Sequence, residues 1–95
     1  MSTLHTINKT STHSALSSCL KVARNGDSIL LIEDGVYASS QLCQSPLEGV
    51  ALYALHEDLL ARGLDASTLS GTIKTVDYNG FVDLVCQHQR CVSWS

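Results

Sequence analysis

Two short apolar runs, residues 28–32 and 50–55, constrain the fold of this chain more than any other feature. Each has the length of a strand, and neither alternates between apolar and polar positions. A strand-length run that is apolar on both faces is typical of a parallel sheet with helices on both sides. Segments with helical or turn patterns separate the runs, which predicts strands and helices in alternation.

Turn and capping residues place the remaining elements. Gly26 and Gly63 follow helical patterns, and Asp77 has the type and position of a helix N-cap. The predicted strands are 2–7, 28–32, 50–55, 72–76 and 90–93. The predicted helices run from a cap at Thr10, Ser11 or Thr12 to about Arg24, from 56 to 62, and from 78 to about 89. A helical turn is predicted at 36–40, and a loop or weak helix at 41–49. These elements predict one α/β domain over residues 1–95 with a doubly wound five-stranded sheet.

The composition indicates a covered surface. Charged residues make up 16% of the chain, whereas soluble domains typically have roughly 25%. A small domain has much surface for its volume, so too few charges indicate weakly polar surface that a partner covers. Solvation by Ser, Thr, Asn and Gln is the plainer explanation. If a partner is involved, the chain expressed alone is expected to self-associate.

Charge and hydropathy exclude several classes of protein. The net charge is −3, and the six Lys and Arg residues are scattered. Without a basic stripe to neutralise phosphates, direct binding of nucleic acid is not expected. Residues 1–12 lack a signal-peptide pattern, and no apolar run approaches a membrane span. We therefore expect a cytoplasmic protein with no membrane partner, whose four cysteines are reduced thiols.

Polar residues follow the predicted strands at their carboxyl ends, where parallel sheets bind ligands. They are Asn8, Lys9, Glu33, Asp34, His56, Glu57 and Asp77. They match no familiar site, and the loop at 8–12 has no glycine that would let the backbone approach a phosphate. Flavin and nucleotide cofactors are therefore not expected. Asp34 and Asp77 are interpreted as turn and capping residues.

The remaining clusters of candidate ligands are also weak. Cys86, His88 and Cys91 are close in sequence, but they offer three ligands and no CxxC pair. Structural zinc sites use four ligands, so no metal is predicted. Cys43 lies in the predicted loop with nothing nearby to activate it.

Cys19 is the most informative thiol. At 100° per residue, the apolar face of its helix is roughly 160° wide, more than one sheet contact requires. One interpretation assigns part of this face to the sheet (Leu16, Leu20 and Ala23) and part to a partner subunit (Ala15, Cys19 and Val22). The plainer interpretation makes Cys19 a core residue. It lies about two turns into the helix, so the helix dipole does not predict a lowered thiol pKa.

Four segments in order carry a family resemblance. They are residues 4–9 (LHTINK), 30–38 (LLIEDGVYA), 58–64 (DLLARGL) and 76–84 (VDYNGFVDL), and Trp94 near the last residue also fits. In these segments, which span almost the whole chain, the sequence resembles the TusB/DsrH family of sulfur-relay subunits.

The resemblance implies a flavodoxin-like three-layer sandwich with a mostly parallel five-stranded sheet. It also implies a heterohexamer with two paralogous subunits, two copies of each, which passes persulfide sulfur to a downstream sulfur-carrier protein. One branch serves 2-thiolation of the tRNA wobble uridine, and the other serves intracellular sulfur oxidation. The main carrier cysteine lies in another subunit, but members of the second branch have a cysteine on the first helix, where Cys19 lies. The resemblance therefore favours sulfur oxidation and makes Cys19 the candidate catalytic sulfur acceptor.

Two functions of different classes follow. In the first, the Cys19 thiolate attacks a persulfide sulfur, as one component of a relay and not as a self-sufficient enzyme. In the second, the chain is a non-catalytic scaffold, and its thiols are packing residues. A stand-alone nucleotide binder is opposed by the glycine-free loop. Exposure of Cys19 separates the first two, and Cys19→Ser is expected to leave assembly intact while reducing sulfur relay. Trp94 is expected to dock on a neighbouring subunit or on its own domain.

Overall fold

The computed structural model describes residues 2–9, 14–39, 48–64 and 73–94, with the backbone alone at 14–17. In chain order the elements are β1 (Thr3–Ile7), α1 (Ser14–Val22), β2 (Ser28–Leu31), a 3₁₀ helix (Glu33–Ala38), β3 (Ala51–Leu55), α2 (His56–Ala61), β4 (Ile73–Val76), α3 (Tyr78–Gln87) and β5 (Arg90–Trp94). The predicted caps at 10–12, the segment 41–47 with Cys43, and the side chains of Ala15 and Leu16 lie outside the described residues.

The strands form one sheet in the order β4-β3-β2-β1-β5. Every pairing in the described residues is parallel, which confirms the predicted parallel sheet. The chain lays β2, β3 and β4 successively on one side of β1 and then returns to place β5 on the other side. All residues of β1 and β2 are buried, as expected for strands with helices on both faces.

Helices cover the two faces of the sheet, and the sheet separates two apolar clusters. On one face, Ile7, Ile29 and Leu31 pack with Cys19 of α1 and Leu59 of α2. On the other face, the alternate strand residues pack against α3; they include Leu4 and Leu30, with Leu84 from the helix. Side chains alternate between the faces of a strand, so adjacent residues enter opposite clusters. The predicted flavodoxin-like three-layer arrangement is confirmed.

Local sequence fixes the helix ends. The Asp77 carboxylate accepts a hydrogen bond from the backbone N–H of Gly80 at 2.8 Å, so the predicted cap of α3 is confirmed. Gly63, with φ +69°, follows α2 as predicted. α3 ends at Gln87, earlier than predicted, because His88 is extended and its ring bonds the Leu84 carbonyl. Within the described ranges, no helix is long and apolar enough to cross a membrane.

The turn after β2 differs from the prediction. A helical turn was expected at 36–40, but the 3₁₀ helix begins at Glu33, whose φ is +50°. Gly35 lies directly against the backbone carbonyl of Ile7, where a side chain would overlap it. The chain therefore turns immediately after Ile32, and glycine allows the first turn of the 3₁₀ helix to sit on the end of β1.

Candidate functional site

A polar network lies on the α1 face of the sheet, within an otherwise apolar layer. The Nε2 atom of His5 is 2.9 Å from a carboxylate oxygen of Asp27, and its Nδ1 atom is 3.1 Å from the indole nitrogen of Trp94. His5 is 2% exposed and Asp27 is 7% exposed. Asp27 also accepts hydrogen bonds from the backbone N–H groups of Thr3 (3.0 Å) and Arg24 (3.1 Å).

The hydrogen bonds fix the tautomer of His5. An indole N–H can only donate, so Nδ1 of His5 must accept and carries no proton. The ring proton is therefore on Nε2 and is donated to Asp27. A proton on Nδ1 would remove the acceptor that holds Trp94. Trp94 docks on its own chain here, one of the two predicted alternatives.

Strand register explains how distant residues meet. His5 of β1 pairs with Val92 of β5, and Trp94 lies two residues further along the same face of β5. Asp27 immediately precedes β2, beside the start of β1. The network thus joins three adjacent strands.

The environment of Asp27 sets its charge. Burial alone would raise its pKa, but the hydrogen bonds from His5 and from the N–H groups of Arg24 and Thr3 outweigh burial and hold the pKa below its ordinary value. A group with a lowered folded-state pKa stabilises the fold above its unfolded pKa and loses that contribution as pH falls through the folded value.

The stabilisation from Asp27 is therefore expected to disappear in acid. In urea unfolding at a series of pH values, wild type should exceed Asp27→Asn by a constant margin above about pH 4, the ordinary range of an aspartate. The margin should shrink as pH falls further, because wild type then protonates the carboxylate. A stability difference that grows as the pH falls would contradict the lowered pKa of Asp27.

Cys19 lies in the core of the α1 face. Its side chain is fully buried. Leu20 and Ala23, which are partly buried, pack against the same apolar cluster. Burial, with a smaller contribution from the negative charge of Asp27, raises the pKa of the Cys19 thiol to about 12. At neutral pH only about one molecule in 10⁵ would carry the thiolate. Leu20 and Ala23 face the sheet as predicted. The interpretation that Cys19 faces a partner subunit is wrong for this conformation, because Cys19 is buried. Val22, which the same interpretation assigned to a partner, is 49% exposed.

The thiols are expected to differ sharply in alkylation. Cys86 and Cys91 are free and exposed, and Cys19 is free and buried. Iodoacetamide at pH 8 should label the peptides that carry Cys86 and Cys91 at least about 100-fold faster than the Cys19 peptide, since the thiolate is the nucleophile. Labelling in denaturant should remove the difference. Equal rates in the native protein would show that α1 does not shield Cys19.

Two of the polar residues at the carboxyl edge, Glu33 and Asp34, form hydrogen bonds with residues of α2 and the turn after it. The Arg62 guanidinium donates to Asp34 at 2.8 Å, and the backbone N–H of Glu33 donates to Asp58 at 2.6 Å. Asp34 is thus held in an ion pair that sequence reasoning missed, because Arg62 is 28 residues away. One side-chain oxygen each of Asn8 and Glu57 is buried without a hydrogen-bond partner among the described residues.

Of the three neighbouring residues Cys86, His88 and Cys91, the histidine already forms hydrogen bonds through both of its ring nitrogens. The Nδ1 atom of His88 donates to the Leu84 carbonyl at 2.6 Å, and its Nε2 accepts from the Ser28 hydroxyl at 2.8 Å. Both ring nitrogens are therefore engaged in binding α3 to β2.

An exposed apolar stripe runs along α3. Tyr78, Val82 and Val85 are spaced by four and three residues, so they share one side of the helix. Their exposed fractions are 55%, 60% and 42%. Leu84, on the opposite side, anchors α3 to the sheet. We call Tyr78, Val82 and Val85 the α3 stripe; such a patch on a small domain is typical of a protein–protein interface.

These features define a class of protein: a small α/β sandwich with a parallel sheet, a buried thiol and an apolar helix face. Two solved structures share the fold. A protein of unknown function from Methanobacterium thermoautotrophicum matches with a TM-score of 0.75 and 16% identity, covering 97% of each chain. A protein from Thermotoga maritima, solved by NMR, matches with a TM-score of 0.66 and 27% identity, covering 88% of this chain and 92% of that one.

Sequence comparison identifies the family. The family model described as DsrH like protein matches residues 9–91. The chain is 36% identical over 95 residues to Protein TusB of Yersinia pestis (strain Pestoides F) and 34% identical over 98 residues to Protein TusB of Escherichia coli O81 (strain ED1a). Each comparison covers 96% of this chain and 99% of the relative. The chain belongs to the TusB/DsrH family, which confirms the resemblance found in the sequence.

Proposed function

We propose that this chain is a non-catalytic scaffold subunit of a cytoplasmic sulfur-relay complex that serves 2-thiolation of the tRNA wobble uridine. It assembles with two paralogous subunits in a heterohexamer. A cysteine of another subunit carries the sulfur, and a downstream sulfur-carrier protein receives it. This chain contributes shape and interface to the complex.

Burial of Cys19 is the observation that carries this proposal. A thiol accepts persulfide sulfur only as an accessible thiolate. The side chain of Cys19 is fully buried and its pKa is raised to about 12. Transfer through Cys19 would require α1 to move away from the sheet. That Cys19 accepts sulfur stays a prediction, and this conformation does not favour it.

The relatives favour the thiolation branch over sulfur oxidation. The sequence-based preference for sulfur oxidation depended on the position of Cys19 in the first helix. Relatives that match nearly the whole chain at 34% to 36% identity bear the name Protein TusB. Together with the buried thiol, these names support the scaffold hypothesis.

The α3 stripe is the surface that we assign to assembly. Val82→Asp places a charge at its centre, and because Val82 is 60% exposed, the fold should tolerate the change. We expect at least about tenfold weaker association with the paralogous subunits, measured by calorimetry or by size-exclusion chromatography with light scattering. Gln87→Asp, an exposed site on another side of the same helix, is the matched control. Equal association of both variants would exclude the stripe as an interface.

Formation of 2-thiouridine in tRNA tests the proposed function. An E. coli strain without its own TusB-containing complex is supplied with this chain and the two paralogous subunits from the same genome, and 2-thiouridine is measured by mass spectrometry of digested tRNA. We expect restoration by wild type and equally by Cys19→Ala. No restoration while all three subunits assemble would refute the thiolation function. Restoration lost only in Cys19→Ala would return Cys19 to a sulfur-carrying role.

A further inference from the structure

An open cavity of about 630 Å³ lies beside the polar network. One wall is formed by Val22, the last residue of α1, and by Arg24, which follows the helix. The α1-side face of β5 forms the floor through Arg90, Val92 and Trp94. α1 contacts both β1 and β5 on this side of the sheet, and the cavity opens beside the end of this helix. The volume lies in the range of small-molecule sites, roughly 300 to 1,000 Å³.

The cavity is polar at one end and apolar at the other. Thr3 and Arg90 are directly paired across β1 and β5 at the amino end of the sheet. Arg24 joins this end because its backbone N–H bonds Asp27, which also bonds the N–H of Thr3. Two strand residues further along come His5 and Val92, and two further still comes Trp94. The arginines therefore lie at one end of the cavity and the indole at the other.

The polar end of the cavity carries positive charge, whereas the net charge of the chain is negative. Arg24 and Arg90 are exposed and form no ion pair with an acidic group of the described residues. Among the described residues, Asp27 is the one carboxylate that lines the cavity, and three hydrogen-bond donors contact it. Two of the six basic residues of a chain with net charge −3 thus converge on one cavity. Guanidinium groups bind planar and tetrahedral oxyanions by paired hydrogen bonds.

The floor is organised before any ligand binds. Trp94 donates to His5, and their rings are 6.1 Å apart at 31°. His5 is in turn held by Asp27. A fixed indole offers a flat face on which an apolar group can stack without further loss of side-chain freedom.

We propose that this cavity binds a small molecule with an oxyanionic head, a phosphate or carboxylate, on a flat apolar body. The head lies between Arg24 and Arg90, and the body lies over Val92 against Trp94. Asn25, which also lines the cavity, supplies an amide donor to the head. This inference is independent of the proposed assembly, because it depends only on groups of this chain.

Phenyl phosphate is the probe, and Trp94 is the reporter. The chain has one Trp, so its fluorescence and its indole N–H signal in heteronuclear NMR spectra both report on this cavity. We expect saturable changes in both, with a dissociation constant below about 1 mM. Inorganic phosphate should bind at least about tenfold more weakly because it lacks the body, and phenol should bind at least as weakly because it lacks the head.

Charge-neutralising variants identify the site. Arg24→Gln with Arg90→Gln should weaken phenyl phosphate binding at least about tenfold. Lys74→Gln removes one positive charge from an exposed position on β4, at the opposite edge of the sheet, and should bind as wild type does. Both arginines are exposed, and thermal unfolding checks that the double variant is folded. The proposal is overturned if phenyl phosphate gives no saturable change up to about 10 mM, if phenol binds equally well, or if the double variant binds as tightly as wild type.

Discussion

Replacement of Gly35 by alanine is expected to lower the free energy of unfolding by about 3 kcal/mol. A Cβ atom at this position would overlap the backbone carbonyl of Ile7. That carbonyl already accepts the N–H of Ile32, and all residues of β1 are buried. No flexible side chain can move aside to relieve the overlap. Either β1 shifts within the sheet, or the 3₁₀ helix leaves the core and exposes Val36.

Urea unfolding monitored by circular dichroism measures the effect. Gly63→Ala is the matched control: Gly63 has φ +69°, and no atom of the described residues lies within 4 Å of the added Cβ. It should cost about 1 kcal/mol, through backbone strain alone. Equal destabilisation by the two variants would mean that the contact between Gly35 and β1 does not constrain the fold.

Asp27→Ala is expected to destabilise the protein by a similar amount, about 3 kcal/mol. Its carboxylate accepts from two backbone N–H groups and from His5. The substitution leaves all three donors without an acceptor, and His5 and Thr3 are buried. Leaving a buried donor unpaired costs more than a typical hydrogen bond contributes, since the desolvation of that donor is no longer compensated.

The same substitution should loosen β5. His5 orients Trp94, so we expect Trp94 fluorescence to shift to longer wavelength in Asp27→Ala as the indole becomes more exposed. Asp34→Ala serves as the control, because it removes a carboxylate whose ion pair with Arg62 lies at the surface. It should cost less than about 1 kcal/mol and leave the fluorescence unchanged. A loss below 1 kcal/mol for Asp27→Ala would show that the network does not stabilise the fold.

Sequence periodicity was sufficient to predict the parallel sheet, but it could not predict the network of His5, Asp27 and Trp94. The apolar runs at 28–32 and 50–55 predicted buried parallel strands, because both faces of such strands need apolar cover. The cap at Asp77 was predictable because its partner, Gly80, is three residues away. His5, by contrast, is 22 residues from Asp27 and 89 from Trp94. Their contact depends on strand order and register, which no local pattern specifies.

The position of Cys19 shows a second limit of sequence reasoning. The helical face was wide enough for Cys19 to point either toward the sheet or toward a partner. A rotation of α1 by about half a residue step, which periodicity does not resolve, separates the two cases. Packing over β1 turns Cys19 inward, beside Leu20 and Ala23. The cavity could not be predicted from the sequence either, because it depends on where α1 ends over β1 and β5.

Sulfur loading of the assembled complex tests the scaffold hypothesis most directly. The complex with both paralogous subunits is exposed to a persulfide donor, and each cysteine peptide of this chain is analysed by mass spectrometry. We expect no sulfur on the Cys19 peptide and the same rate of sulfur release to the downstream carrier in Cys19→Ala as in wild type. A gain of one sulfur atom at Cys19, with slower release in the variant, would contradict the scaffold hypothesis and make this chain a sulfur carrier.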